Sequence, residues 1–178
     1  SPMCGIMNGL WANALGKGGI IQIETKFMLS SNMLDMKLTG MQGDVMKESM
    51  SVAKSLAWSL TDDKRKERLM KIFDASKSQG IHIHCPEGAV PKDGPSAGTA
   101  ITTCIYSLLN DIPIRNDLAI TGEMNLQGKV TIIGGLDLKI LGGITAGVKM
   151  FLFPKENQRD FDDFMNEWGD KDIVKGIE

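Results

Sequence analysis

Residues 80–109 read GIHIHC, then PEGAVPKDGPSAG, then TAITTCIYSLL. The first six alternate Ile81 and Ile83 with His82 and His84, the period of a strand, so both rings share one face and Cys85 takes the other. The next thirteen hold three prolines and three glycines, the composition of a loop. The last eleven are apolar and predict a helix through Leu109. A strand, a loop and a helix therefore meet around Ser96.

Downstream, a turn over 111–116 precedes a strand at LAITG, a second at KVTIIG, a helix from Gly135 to about Gly147, and an apolar strand MFLF that ends at Pro154. A last helix is expected from Asn157 to Trp168. Upstream, strand signals cover Gly5 to Trp11, Gly19 to Leu29 and Met33 to Thr39, which predicts an N-terminal antiparallel meander, with Gly16, Gly18 and Gly19 forming a turn. From Asp44 the period lengthens: Met46, Met50, Ala53 and Ala57 mark an amphipathic helix to about Leu60. Thr61, Asp62 and Asp63 are placed to cap a second helix with Leu69, Ile72 and Phe73 as its apolar stripe. Strands alternating with helices after a strand-rich start predict an α/β (α+β) fold, a mixed sheet with packed helices, in one domain spanning 1–178.

Composition narrows the function. Twenty Lys and Arg against 22 Asp and Glu give a net charge of −2, so the general basic field of a nucleic-acid binder is missing. No run reaches the roughly 18 apolar residues of a membrane helix, and Ser1-Pro2-Met3 does not open a signal peptide. The three cysteines, Cys4, Cys85 and Cys104, form no CxxC pair, which fits a reducing, intracellular compartment. Two histidines alone give a metal site little to draw on, and none is expected.

Gly94 to Gly98 satisfies GxSxG, the turn that exposes a nucleophilic serine in α/β-hydrolases. There the triad histidine follows the serine, whereas both histidines here precede Ser96, so that family is excluded by chain order. A serine at a helix start still faces free N–H groups and the positive dipole end, where an oxyanion could be held. The pentapeptide equally suits a serine that merely caps the helix. Among the 16 lysines, Lys139 stands on an apolar helical stretch, GGLDLKILGG, with glycines and Leu136 one turn away. Burial there would depress its pKa toward that of a base active at neutrality; a lysine snorkelling from the helix edge fits the same pattern. The stretch from Gly122 to Val130 resembles a phosphate loop but has the wrong spacing, and it reads better as a β-hairpin.

PEGAVPKDGPSAG, followed 43 residues after its serine by the lysine of GGLDLK with TGEMNLQGKV between, closely resembles the proteolytic domain of the Lon family of ATP-dependent Ser-Lys proteases. LTGMQGDVMKES and FPKENQRDF extend the resemblance over nearly the whole chain. It implies Ser96 as nucleophile, Lys139 as general base and Thr121 as the lysine's hydrogen-bond partner. Asp93 belongs to the loop that rearranges in the family, and Glu123, His82 and His84 are implied as supporting residues. It further implies a serine endopeptidase acting on unfolded polypeptides, a homo-hexameric ring, and a cytoplasmic or mitochondrial-matrix setting. No cofactor is expected here; ATP and Mg belong to an ATPase module that, like the N-terminal substrate-binding module, is expected to lie outside these 178 residues. Departures occur at GLWANALGKGG and at Asp137 and Leu138. A related scaffold role, as in RadA-type DNA-repair proteins, is the alternative, which the presence of both Ser96 and Lys139 argues against.

Overall fold

Strand and helix boundaries follow the change of hydrophobic period along the chain. The computed structural model describes residues 2–40, 43–86 and 95–178. In chain order the elements are β1 (Ile6–Ala12), β2 (Gly18–Met28), β3 (Met36–Gly40), α1 (Asp44–Leu60), α2 (Asp63–Ser76), β4 (Gly80–Cys85), α3 (Gly98–Asn110), β5 (Leu118–Ile120), β6 (Glu123–Met124), β7 (Val130–Thr131), α4 (Leu136–Thr145), β8 (Met150–Leu152) and α5 (Gln158–Trp168). Short 3₁₀ turns precede α3 at Pro95–Ala97 and α5 at Lys155–Asn157, and a third follows at Asp172–Val174. The α2 cap is made by Asp62, whose carboxylate accepts from the Arg65 amide.

Six strands form one mixed sheet in the order β3-β4-β2-β1-β5-β8, while β6 and β7 form a separate two-stranded ribbon. β1/β2 and β2/β4 are antiparallel; β3/β4, β1/β5 and β5/β8 are parallel. The expected N-terminal meander is therefore only a β1–β2 hairpin. Parallel neighbours need a long crossover, and α1 with α2 supplies one between β3 and β4. β4 takes the inner position because Ile81, Ile83 and Cys85 are wholly buried on one face, whereas no β3 side chain is fully buried, as suits an edge.

One face of the sheet carries Met7, Ile21, Ile23, Ile81 and Ile83 against Met50 and Ala53 of α1 and Ala100, Ile101 and Ile105 of α3. The other carries Leu10, Ala119 and Phe151 against Leu136 and Ile140 of α4 and Phe164 of α5. Alternation along β1 sends Met7 to the first core and Leu10 to the second, as the pleat requires.

Two expectations need correction. Gly16 occupies a turn with φ +81°, but Gly18 and Gly19 belong to β2. Gly18 is glycine because α4 lies against it: a Cβ at Gly142 would collide with the backbone of Gly18, and one at Gly18 with the carbonyl of Leu138, while a Cβ at Gly19 would meet the Trp11 ring on β1. The strand expected at KVTIIG is limited to Val130 and Thr131, paired with Met124 and Glu123 across the hairpin. It stops because the backbone N–H and C=O of Ile133 both bond to the side chain of Asn157 rather than to another strand.

Candidate functional site

The region where α3 begins, β5 ends and α4 passes is assembled by backbone contacts. β5 continues past its last paired residue: the Thr121 amide donates to the Leu152 carbonyl at 3.0 Å. Gly122 then docks on the start of α3, its N–H donating to the Ser96 carbonyl at 2.9 Å and its carbonyl accepting from the Thr99 amide at 3.1 Å. The Thr99 hydroxyl donates to the same carbonyl at 3.2 Å. Ser96 is thus tied to the residue next to Thr121. It lies half-buried in the 3₁₀ turn. The N-cap of α3 is Ala97, so Ser96 is not the cap that the pentapeptide could have supplied.

Lys139 comes to Thr121 from the other side. It stands one turn into α4, where its amide donates to the Gly135 carbonyl at 3.0 Å. Gly135 starts the helix at φ +69°, a conformation that glycine adopts without strain. The lysine is only 4% exposed, and its Nζ donates to Thr121 Oγ1 at 3.1 Å. Thr121 itself is 1% exposed. Burial favours the neutral amine, so the pKa is pushed down from the ordinary 10.5 to about 8. One end of the Thr121-Gly122 dipeptide therefore holds a buried amine and the other a serine at a helix N-terminus.

Of the remaining residues singled out in the sequence, Glu123 follows Gly122 directly, is exposed, and pairs with Thr131 across the ribbon. His82 Nε2 and His84 Nδ1 both approach the Thr39 hydroxyl, at 2.8 and 2.7 Å. The two rings share one face of β4, which ends at Cys85. Asp93 lies outside the described residues. Among the described residues no group of three or more His, Cys, Asp or Glu is arranged to hold a metal ion, and no helix is long and apolar enough to cross a membrane.

Sequence reasoning missed Thr39 and Asn157. The first becomes visible only once β3 is known to pair in parallel with β4, which sets Thr39 opposite His84. The second carried a misleading signal, since asparagine before a helix reads as a cap, yet its side chain makes no capping bond.

Comparison with known proteins gives a consistent answer. Residues 1–174 match the family model of the Lon protease (S16) C-terminal proteolytic domain. A Lon protease of Fervidobacterium nodosum is 41% identical over 161 residues, covering 90% of this chain and 19% of its own length. A mitochondrial Lon protease homolog of Phaeodactylum tricornutum is 43% identical over 169 residues, covering 89% of this chain and 18% of its own. A Lon protease of Methanosphaera stadtmanae is 43% identical over 159 residues, with the same two coverages. The chain spans about a fifth of the length of these curated relatives.

Proposed function

The chain belongs to the Lon protease (S16) family, matching its proteolytic domain, and on that premise we propose that it is a serine endopeptidase domain working through Ser96 and Lys139. The observation that carries the reading is the buried Lys139 amine on Thr121, one residue from the Gly122 amide that holds the Ser96 backbone. With a pKa of about 8, about a tenth of the lysine is neutral at pH 7, against ~0.03% at the ordinary value. A buried lysine is costly to a fold that needs only a scaffold, which argues against the RadA-like alternative.

Ser96 Oγ attacks the peptide carbonyl carbon as its proton passes to the neutral Lys139 amine. The resulting ammonium, held by the Thr121 hydroxyl, returns that proton to the leaving nitrogen as the C–N bond breaks. A water then attacks the acyl-enzyme carbonyl carbon, again giving its proton to Lys139, which passes it to Ser96 Oγ as the ester C–O bond breaks and the acid product is released. The N-terminal end of α3 stabilises negative charge developing near Ser96. Glu123, His82, His84 and Asp93 are supporting groups in this reading, the histidines bracing β4 through Thr39. The substrates are unfolded polypeptides, the assembly is a six-membered ring, and ATP and Mg serve a module elsewhere in the longer protein. A mitochondrial relative and several bacterial ones support a matrix or cytoplasmic setting.

The test is hydrolysis of a short fluorogenic peptide as a function of pH. The parent should show kcat/KM rising along a limb with a midpoint near 8, and Ser96→Ala should be inactive while keeping its thermal stability. An active Ser96→Ala protein, or a limb that disappears with one histidine, would refute the assignment.

A further inference from the structure

Asn157 is wholly buried, at 0% exposure, yet it is the N-cap residue of α5 and its side chain caps nothing. Its amide group closes instead on another segment. Oδ1 accepts from the Ile133 amide at 3.0 Å, and Nδ2 donates to the Ile133 carbonyl at 2.8 Å and to Asp160 Oδ2 at 2.7 Å. One side chain thereby satisfies both backbone groups of Ile133, as a neighbouring strand would. Asn157 is itself fixed by the 3₁₀ turn in which its amide donates to the Pro154 carbonyl at 2.9 Å. Only Gly134 and Gly135 separate Ile133 from α4, and the Gly135 carbonyl accepts the amide of Lys139. A two-glycine lead-in positions nothing unless its start is held.

We propose that Asn157 is a positioning residue for the Ser96–Lys139 reaction: by clamping Ile133 it sets where α4 begins and so keeps the Lys139 amine buried on Thr121. The inference rests on the proposed function only for its consequence in catalysis. The placement of α4 is a separate matter. Leu136 and Ile140 pack α4 into the second core and the Gly18–Gly142 approach seats its middle on β2, but Asn157 is the polar clamp on the segment that leads into it, and losing that clamp lets the lysine end pivot toward water. Burial alone depresses the lysine, so any such movement raises its titration midpoint. Asp160 is the ionisable group bonded to Asn157, and Asp137, on α4 two residues before Lys139, is exposed.

The experiment follows the Lys139 side-chain carbon next to Nζ by NMR in lysine-labelled protein, across pH, with the signal assigned by its loss in Lys139→Met. Asn157→Ala removes the clamp. Asn157→Asp keeps its size and one acceptor but turns a carboxylate toward the Ile133 carbonyl and Asp160, and it serves if the alanine variant does not fold. Leu69→Ala, in the core on the opposite face of the sheet, is the control for lost stability. Both Asn157 variants should raise the midpoint by about half a pH unit or more, at least a threefold loss of neutral amine at fixed pH, and displace the kcat/KM limb equally. Leu69→Ala should lower thermal stability and move neither. Asn157 variants whose only change is lower stability, with the midpoint where the parent has it, overturn the positioning role. An active Ser96→Ala protein sinks the dyad instead, and leaves the NMR result to decide the placement of α4.

Discussion

Replacing Lys139 with methionine should abolish hydrolysis and, below pH 8, make the domain more stable. The lysine is 4% exposed and its pKa falls from 10.5 to about 8, which corresponds to about 3 kcal/mol against the charged form. Below pH 8 the folded and unfolded chains both hold the proton, and the penalty is fully present. Between 8 and 10.5 the unfolded chain holds it and the folded chain does not, so stability rises with pH through that window. Methionine has similar length and no charge, and it removes the penalty. Against this stands the loss of the hydrogen bond to Thr121, whose hydroxyl is left buried without the amine, at a cost of about 1–2 kcal/mol. The net gain near pH 6.5 is about 1–2 kcal/mol, a few degrees in Tm for a domain of this size. Above 10.5 only the lost bond remains, and the variant becomes the less stable protein. Urea unfolding of parent and variant from pH 6.5 to 10 measures the difference directly. A difference that does not change with pH, or a variant destabilised at pH 6.5, would refute the account of Lys139 as a lysine neutralised by burial.

Two further substitutions probe the same construction. Thr121→Val removes the acceptor that favours the charged amine, so the kcat/KM limb should move below pH 8 while kcat falls roughly 10- to 100-fold through lost orientation; a pH–rate profile with an unmoved limb would deny the hydrogen bond any part in tuning. Gly142→Ala introduces a Cβ into the backbone of Gly18 and must push α4 off β2, costing about 1–3 kcal/mol. Its activity, measured well below its Tm, should fall by more than that of Leu69→Ala at equal destabilisation.

Periodicity located most elements because it reports which face of a segment meets the core. Met46, Met50, Ala53 and Ala57 fixed α1 as Asp44–Leu60, and alternation fixed β4. What periodicity does not report is which strand lies beside which. MKLTG has the same alternation whether it pairs antiparallel with β2 or parallel with β4. The difference lies in the crossover, since the two helices after it return the chain in the direction that makes a parallel neighbour, and in the stronger burial of Ile81 and Ile83, which claims the inner place for β4. Strand length fails for a related reason. Ile132 and Ile133 look like strand residues, but the partner that satisfies Ile133 is a side chain 24 positions away.

The site divides along the same line. Ser96 and Lys139 can be singled out in the sequence as candidates because the proposed chemistry needs a hydroxyl and an amine, and Thr121 enters only through the family resemblance. Their relative placement depends on groups whose types say little: the Gly122 amide and carbonyl that dock β5 on α3, the paired glycines that let α4 touch β2, and Asn157. A glycine at a close approach and one in a loop are the same letter, and the asparagine most plausible as a cap spends its amide elsewhere. The contacts act on two bodies: Gly122 fixes Ser96 and the start of α3 to β5, while Gly18 and Gly142 fix the middle of α4 to β2 and Asn157 holds the segment before it. The Lys139–Thr121 bond closes the loop between them. A shift of either body that opens the Lys139–Thr121 contact adds water at Lys139, which makes that amine's titration a measure of whether the site is assembled.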